Sequence, residues 1–381
     1  MIENNLNIQM VDLKSQYLKI KNQVDNAING VLENTQFING AHVKGFQAEL
    51  ANYMGVKHVI TCANGTDALQ IAMMGLGLKP GDEVITPSFT YIATTEVVAL
   101  LGLKPVFVDC DPNTFNISIK EIEKAITSKT KAIVPVHLFG QSCDMKAILK
   151  IAKENELFVI EDNAQAIGSD YFGLAETKKT GTIGNVGCTS FFPSKNLGCY
   201  GDGGALMTND DQLAEKLRMI ANHGQSKRYY HDIVGCNSRL DNLQAAVLRI
   251  KLKELDSYIL NRRKAADYYD HHLDGVEELS VPFRDDNSNH VFHQYTLKLN
   301  DEVNRDKLIR YLASKNIPAM VYYPVPAHQQ KMFSNIRATF NTMNNTEWLS
   351  ERVFSLPMHT ELNAVQQNYI IDNILNFLKT K

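Results

Sequence analysis

The chain of 381 residues is too long for one comfortable core and predicts a large domain followed by a smaller one. With 44% hydrophobic and 21% charged residues it has enough apolar material for a sizeable interior, and 39 basic against 42 acidic residues leave a formal net charge of -3. That balance excludes a global field for nucleic acid or an anionic membrane, so any anion site has to be local.

The opening MIENNLNIQMVDLKSQY lacks the basic end and apolar run of a signal peptide, and no later run is long enough to span a bilayer, which predicts a cytoplasmic protein. Cys62, Cys110, Cys143, Cys188, Cys199 and Cys236 are scattered, with no CxxC pair and no histidine at metal-ligand spacing. They read as reduced core thiols, and no metal is expected.

From residue 57 short apolar runs (HVITC, DEVIT, KPVFVD, KAIVPV, LFVIED) alternate with helical stretches such as TDALQIAMMGLGL, TTEVVALLG, IKEIEKAI and MKAILKIAKENE. The alternation predicts an α/β fold with a mostly parallel sheet covered on both faces, whose ligands bind beyond the carboxyl ends of the strands. After residue 184 two more strands, VGCTSFF and GGALMTN, flank a glycine-rich loop. RLDNLQAAVLRIKLKELDSYILNRRKAADYYDHHL then reads as one helix or two joined end to end, bridging two domains. Beyond it QYTLKL, KLIRYLASKNI, AMVYY and VQQNYIIDNILNFLK predict a smaller α/β domain, so the division is 1–259 and 260–381.

Four strand-end features carry chemistry. In CANGTDALQ, Gly65 lets the backbone approach a ligand, Thr66 offers a hydroxyl and the unpaired amides of a helix start favour phosphate, although the same residues alone are as well explained by a cap. In LFVIEDNAQAIG, Glu161 and Asp162 end a strand and Gln165 follows; a carboxylate there pairs with a cationic ring nitrogen, binds a metal or caps a helix. In SFFPSKNLGCYGDGGAL, Lys195 stands between serines 190 and 194 and glycines 198, 201, 203 and 204, which permit an unusual backbone path around a bulky group. A lysine whose surroundings favour the neutral amine forms a Schiff base with an aldehyde, whereas an incidental surface lysine in a turn would look similar in isolation. In SFTYIATTE, Phe89 or Tyr91 offers a face for a planar ring, or simply packs in the core. Taken together the four describe a site for pyridoxal 5′-phosphate.

At these residues the chain resembles the DegT-type nucleotide-sugar aminotransferases. The likeness runs from VDLKSQY through NGTDAL, GDEVITPSFTYIAT, PVHLFGQ, IEDNAQAIGS and SFFPSKNLGCYGDGGAL to GCNSRLDNLQAA, VYYPVP and SLPMH. It implies a fold type I pyridoxal-phosphate transferase, with a seven-stranded, mostly parallel sheet in the large domain and a smaller C-terminal α/β domain. It implies Lys195 as the amine joined to the cofactor, Asp162 opposite the ring nitrogen and Gln165 near the ring hydroxyl. Gly65, Thr66 and Ser190 would hold the phosphate and Tyr91 would stack on the ring. The resemblance also implies a homodimer with shared active sites, in which Asn237 reaches the neighbour's phosphate site and Arg239 binds substrate there. It further implies Tyr322 and Tyr323 as substrate contacts; His328 and His359 read as packed or surface residues. The implied reaction moves an amino group from L-glutamate to a nucleotide-linked ketosugar, for bacterial surface polysaccharide, and lysine at position 195 favours transamination over the deoxygenation run by relatives with histidine there. A protein that binds the cofactor or a nucleotide sugar without turnover is the competing class. A nicotinamide enzyme is disfavoured by the missing glycine fingerprint. GCNSRLD alone also reads as a helix start, with Asn237 or Ser238 satisfying the first amides.

Overall fold

A computed structural model describes residues 6–335, 339–340 and 342–380. Each apolar run expected as a strand up to residue 162 is one: β1 (His58–Cys62), β2 (Glu83–Pro87), β3 (Lys104–Val108), β4 (Thr130–Ile133) and β5 (Phe158–Asp162). The runs flanking the lysine loop are β6 (Val186–Ser190) and β7 (Gly204–Thr208). These seven, with the two-residue strand Thr339–Phe340 added beside β3, make one sheet in the order β1-β7-β6-β5-β4-β2-β3. β7 is antiparallel to both its neighbours and the other pairings are parallel.

The chain enters through α1 (Leu13–Asn34) and α2 (Ala41–Met54). The strands are apolar on both sides and therefore need cover on both faces. Ile160 of β5 packs in a cluster with α3 (Gly65–Gly75), α4 (Ala93–Leu100) and α7 (Asp211–Ala221), whereas the adjacent Val159 joins α5 (Ile119–Ala125) and α6 (Met145–Glu154). The carboxyl ends of β2, β5 and β6 thus open on one edge between the layers.

α8 (Asn242–Leu273) is a single helix of 32 residues. As far as Ile259 its buried side chains share a core with Phe46, Leu50 and Leu197, and from Ala265 they share a second core with Tyr295, Leu308 and Ile370. That second core lies on a three-stranded antiparallel sheet of Leu279–Ser280, Tyr295–Leu299 and Val353–Leu356, with helices Arg305–Ser314 and Ala364–Lys379. AMVYY adds only a bridge from Met320 to Ser355. Among the described residues no helix is long and apolar enough to cross a membrane.

The start of α8 differs from the expected cap. Its N-cap is Asp241, with no side-chain hydrogen bond. Ser238 Oγ instead donates to Asp67 Oδ2 (2.6 Å) and accepts from the Ala63 N–H (3.0 Å). Asn242 Oδ1 accepts from the His42 and Val43 N–H groups (3.1 and 3.2 Å), capping α2, whose own N-cap is a glycine. Polar side chains at one helix start are drawn to the unsatisfied amides of others.

Glu161 and Asp162 point to opposite layers. Glu161 is fully buried and accepts from His137 Nε2 (2.9 Å) and the N–H groups of Gly181 (2.7 Å), Ile183 (2.7 Å) and Gly184 (2.6 Å). His137 Nδ1 accepts from the Cys143 N–H (3.1 Å), so the ring proton lies on Nε2 and points at the carboxylate. Glu161→Gln replaces an acceptor oxygen by a donor facing donors, and is expected to cost about 2–4 kcal/mol in urea unfolding. A loss under 1 kcal/mol would contradict this account of the strand junction.

Candidate active site

The C-terminal end of β5 delivers Asp162, which is only 6% exposed. Its Oδ2 accepts from Thr94 Oγ1 (2.7 Å), in the first turn of α4, and its Oδ1 accepts from the Ala164 N–H (3.1 Å). Thr94 was not among the residues picked out by sequence; the only signal is the run of hydroxyls Thr90, Thr94 and Thr95 after β2. Lys195, from the loop between β6 and β7, is partly buried beside this carboxylate. Burial draws its amine down to about 8, against the opposing pull of the Asp162 charge.

The loop holds its shape by close backbone approach. The Lys195 N–H donates to Phe192 O (2.8 Å) and the Cys199 N–H to Phe191 O (2.8 Å). A Cβ on Gly198 would fall 2.4 Å from Pro193 O, and one on Gly204 would fall 2.4 Å from Asn64 O. None of the four glycines has a positive φ; Gly198 and Gly204 let main chains touch, whereas a Cβ on Gly201 would meet the Gln244 side chain and one on Gly203 the side chains of Leu240, Cys199 and Phe191.

Gly65 and Ser190 meet across the sheet edge. A Cβ on Gly65 would lie 2.7 Å from Ser190 Cβ, so only glycine leaves room where α3 begins. Asn64 caps α3 by accepting from the Asp67 N–H (2.8 Å), and the amides of Gly65 and Thr66 stand at the positive end of the helix beside the Ser190 hydroxyl.

Gln165 links two further elements. Its Oε1 accepts from the Phe139 N–H (2.7 Å) and its Nε2 donates to the Tyr323 hydroxyl (3.0 Å). Phe139 adopts φ 57°, an uncommon value for a bulky residue, which turns its N–H toward Gln165. Burial pushes the Tyr323 phenol up, so it remains a hydrogen-bond donor at neutral pH. Its ring centroid is 6.2 Å from Tyr91 and 5.9 Å from Tyr322. Phe89 is buried in the core, whereas Tyr91 is 57% exposed; of the two aromatics, Tyr91 has the open face.

His328 and His359 are both engaged. His328 pairs with Ser88 Oγ (2.6 Å) and Glu347 (3.1 Å); His359 Nδ1 accepts from the Glu361 N–H (3.2 Å), and burial draws it down to about 4. Asn237 is exposed and Arg239 half-buried, and no contact among the described residues joins either to Lys195, Asp162 or Gln165.

An amine with lowered basicity, a buried carboxylate, an anion cradle that a Cβ would fill and an open aromatic face fit pyridoxal phosphate. Comparison with known proteins agrees. The sequence matches the DegT/DnrJ/EryC1/StrS aminotransferase family over residues 18–375. It is 46% identical over 369 residues to the UDP-2-acetamido-2-deoxy-3-oxo-D-glucuronate aminotransferase of Pseudomonas aeruginosa, covering 97% of this chain and 100% of that one. It is 45% identical over 362 residues to the UDP-N-acetyl-3-dehydro-α-D-glucosamine 3-aminotransferase of Acidithiobacillus ferrooxidans, covering 95% of each. The crystal structure of S. venezuelae DesV in complex with a ketimine intermediate superposes with a TM-score of 0.93 at 38% identity, covering 98% of this chain and 99% of that one.

Two outcomes are expected. Thr94→Val leaves Asp162 one hydrogen bond poorer and lowers the transamination rate about tenfold, with cofactor uptake retained; an unchanged single-turnover rate contradicts this. The amine of Lys195 sits at about 8 in the fold against an ordinary 10.5, so the native state binds fewer protons than the unfolded chain between those values. Lys195→Met therefore raises the melting temperature of the cofactor-free protein most below pH 8, and the gain fades toward pH 10.5. A gain independent of pH contradicts the desolvated amine.

Proposed function

The chain belongs to the DegT/DnrJ/EryC1/StrS aminotransferase family, and on that premise we propose that it moves an amino group from L-glutamate to C3 of a UDP-linked 2-acetamido-3-ketosugar, the 3-oxo-glucuronate form above all. The family is pyridoxal-phosphate dependent, and several relatives of this chain are named as aminotransferases of nucleotide-linked sugars. What favours this substrate is a shared feature of two relatives at 46% and 45% identity: both names specify UDP, an acetylated amine on the sugar and a ketone at C3.

When bound, the cofactor supplies an aldehyde that condenses with amines and a cationic ring that withdraws electrons. In this reading Lys195 Nζ is the condensing amine. With the value drawn to about 8, about a tenth of it is free base at pH 7. With the cofactor bound, the free Lys195 Nζ would take the proton from the α-carbon of glutamate and deliver it to the carbon that had been the cofactor's aldehyde, and would move a proton the opposite way, onto the sugar carbon, in the second half. Asp162, held by Thr94 and the Ala164 N–H, sets a negative charge against the ring nitrogen. Gly65, Thr66 and Ser190 receive the phosphate, Tyr91 covers the ring, and Gln165 and Tyr323 orient its hydroxyl side. Glutamate and ketosugar thereby become 2-oxoglutarate and aminosugar.

Two copies of the chain complete each site in this proposal, with the exposed Asn237 entering the other copy's phosphate cradle. Arg239 binds the sugar's carboxylate or diphosphate by its planar fork. The deciding experiment is a panel of UDP-, TDP- and GDP-linked ketosugars assayed with L-glutamate. The UDP-2-acetamido-3-keto sugars are expected to turn over about a hundredfold faster than a TDP-4-keto-6-deoxyhexose. The reverse order overturns the substrate assignment. Arg239→Met is expected to raise KM for the uronate about tenfold or more with kcat little changed; an unaltered KM removes Arg239 from the site.

A further inference from the structure

A second lysine stands close to the first in the fold and has no place in the chemistry above. Lys251, on α8, is 1% exposed. Its Nζ donates to Gly198 O (2.8 Å) and lies 4.7 Å from the centre of the Tyr200 ring. No carboxylate is within ion-pair distance of it among the described residues. Burying an ammonium with one carbonyl and one ring face is a costly way to fill space, and leucine or methionine would fill it more cheaply. The acceptor indicates what the charge does. A Cβ on Gly198 would lie 2.8 Å from Phe192 O, and that same oxygen receives the Lys195 N–H at 2.8 Å. The Gly198 backbone is thus packed directly against the turn that carries Lys195.

The same helix face holds the loop a second time. Two turns earlier, Gln244 Oε1 accepts from the Tyr200 N–H (2.8 Å) and its Nε2 donates to Tyr200 O (3.2 Å). Neither Lys251 nor Gln244 contacts Lys195 or Asp162 by a hydrogen bond. We propose that Lys251 is a positioning residue: its ammonium grips the main chain at Gly198 and, with Gln244, fixes where the Lys195 amine sits against Asp162. The inference rests on Lys195 being the cofactor-linked amine.

The test uses the cofactor-loaded enzyme and the cofactor-free protein, each with Lys251→Met and Gln244→Met. Methionine keeps the buried volume and removes the donor. Lys251→Met is expected to retain the native circular dichroism and the visible band of the bound cofactor. Its kcat should fall about tenfold to a hundredfold, the scale of a small misplacement of a reacting group, with KM for the ketosugar within about twofold of wild type. In the cofactor-free protein, the pH at which Lys195 becomes acylable by acetic anhydride, read by peptide mass spectrometry, should rise from about 8 toward 10.5 as the loosened turn admits water. A kcat within twofold of wild type and an unmoved acylation profile overturn the proposal. If Lys251→Met does not fold, the half-buried Gln244→Met decides by the same two readouts, and wild-type values there overturn it equally. A visible band that survives Lys195→Met removes the premise, and the inference with it.

Discussion

The site depends on a contest over one proton. Desolvation works against the charged form of the Lys195 amine, Asp162 works for it, and burial wins by enough to bring the amine to about 8. Were the loop open to water, the lysine would return toward 10.5 and be almost wholly cationic at neutral pH. Were Asp162 absent, the same pocket would lose the charge that opposes a protonated ring. Both conditions follow from the sheet, because β5 and β6 are adjacent and parallel and their carboxyl ends therefore emerge side by side.

Around that pair the chain assembles contacts from distant segments. Thr94 comes to Asp162 from α4, Gly65 to Ser190 from α3, and Tyr323 to Gln165 from beyond α8. Each of these joins a strand end to a neighbouring element, so the geometry is carried by regular structure more than by flexible loops. Beneath it, Glu161 ties the strand next to the site to His137 and to the backbone of residues 181–184. Asp162 inherits its position from that buried neighbour, which faces the other way.

The sequence made some of this legible. The strands β1 to β5 stand out because short β-branched runs are bounded by turn residues; Asp162, Gly65 and Ser190 could be picked out because they lie at or just past the ends of such runs, and Lys195 because a glycine-rich loop follows it. Long-range hydrogen bonds are invisible at that level. Nothing local marks Thr94 as the partner of a carboxylate 68 positions away, or Asn242 as the cap of α2. The reading in which Asn237 or Ser238 caps α8 does not hold: the helix starts after Asp241, and the Ser238 oxygen accepts from the Ala63 N–H while its hydroxyl donates to Asp67. The glycines were legible as necessary but for a different reason, since they relieve contacts with main chains at Gly198 and Gly204 and with side chains at Gly201 and Gly203 that only the folded loop creates. Composition and spacing alone did not separate Phe89 from Tyr91, the residue the family resemblance favours, and the turn after β2 sends the first into the core and the second outward.

The most direct measurement of the central claim is the site of covalent attachment. Borohydride reduction of the pyridoxal-phosphate-loaded protein, followed by proteolysis and mass spectrometry, should place the pyridoxyl group on Lys195 in the segment SFFPSKNLGCYGDGGAL. A label on Lys251, the fully buried lysine of this region, or on any third lysine, would contradict the account.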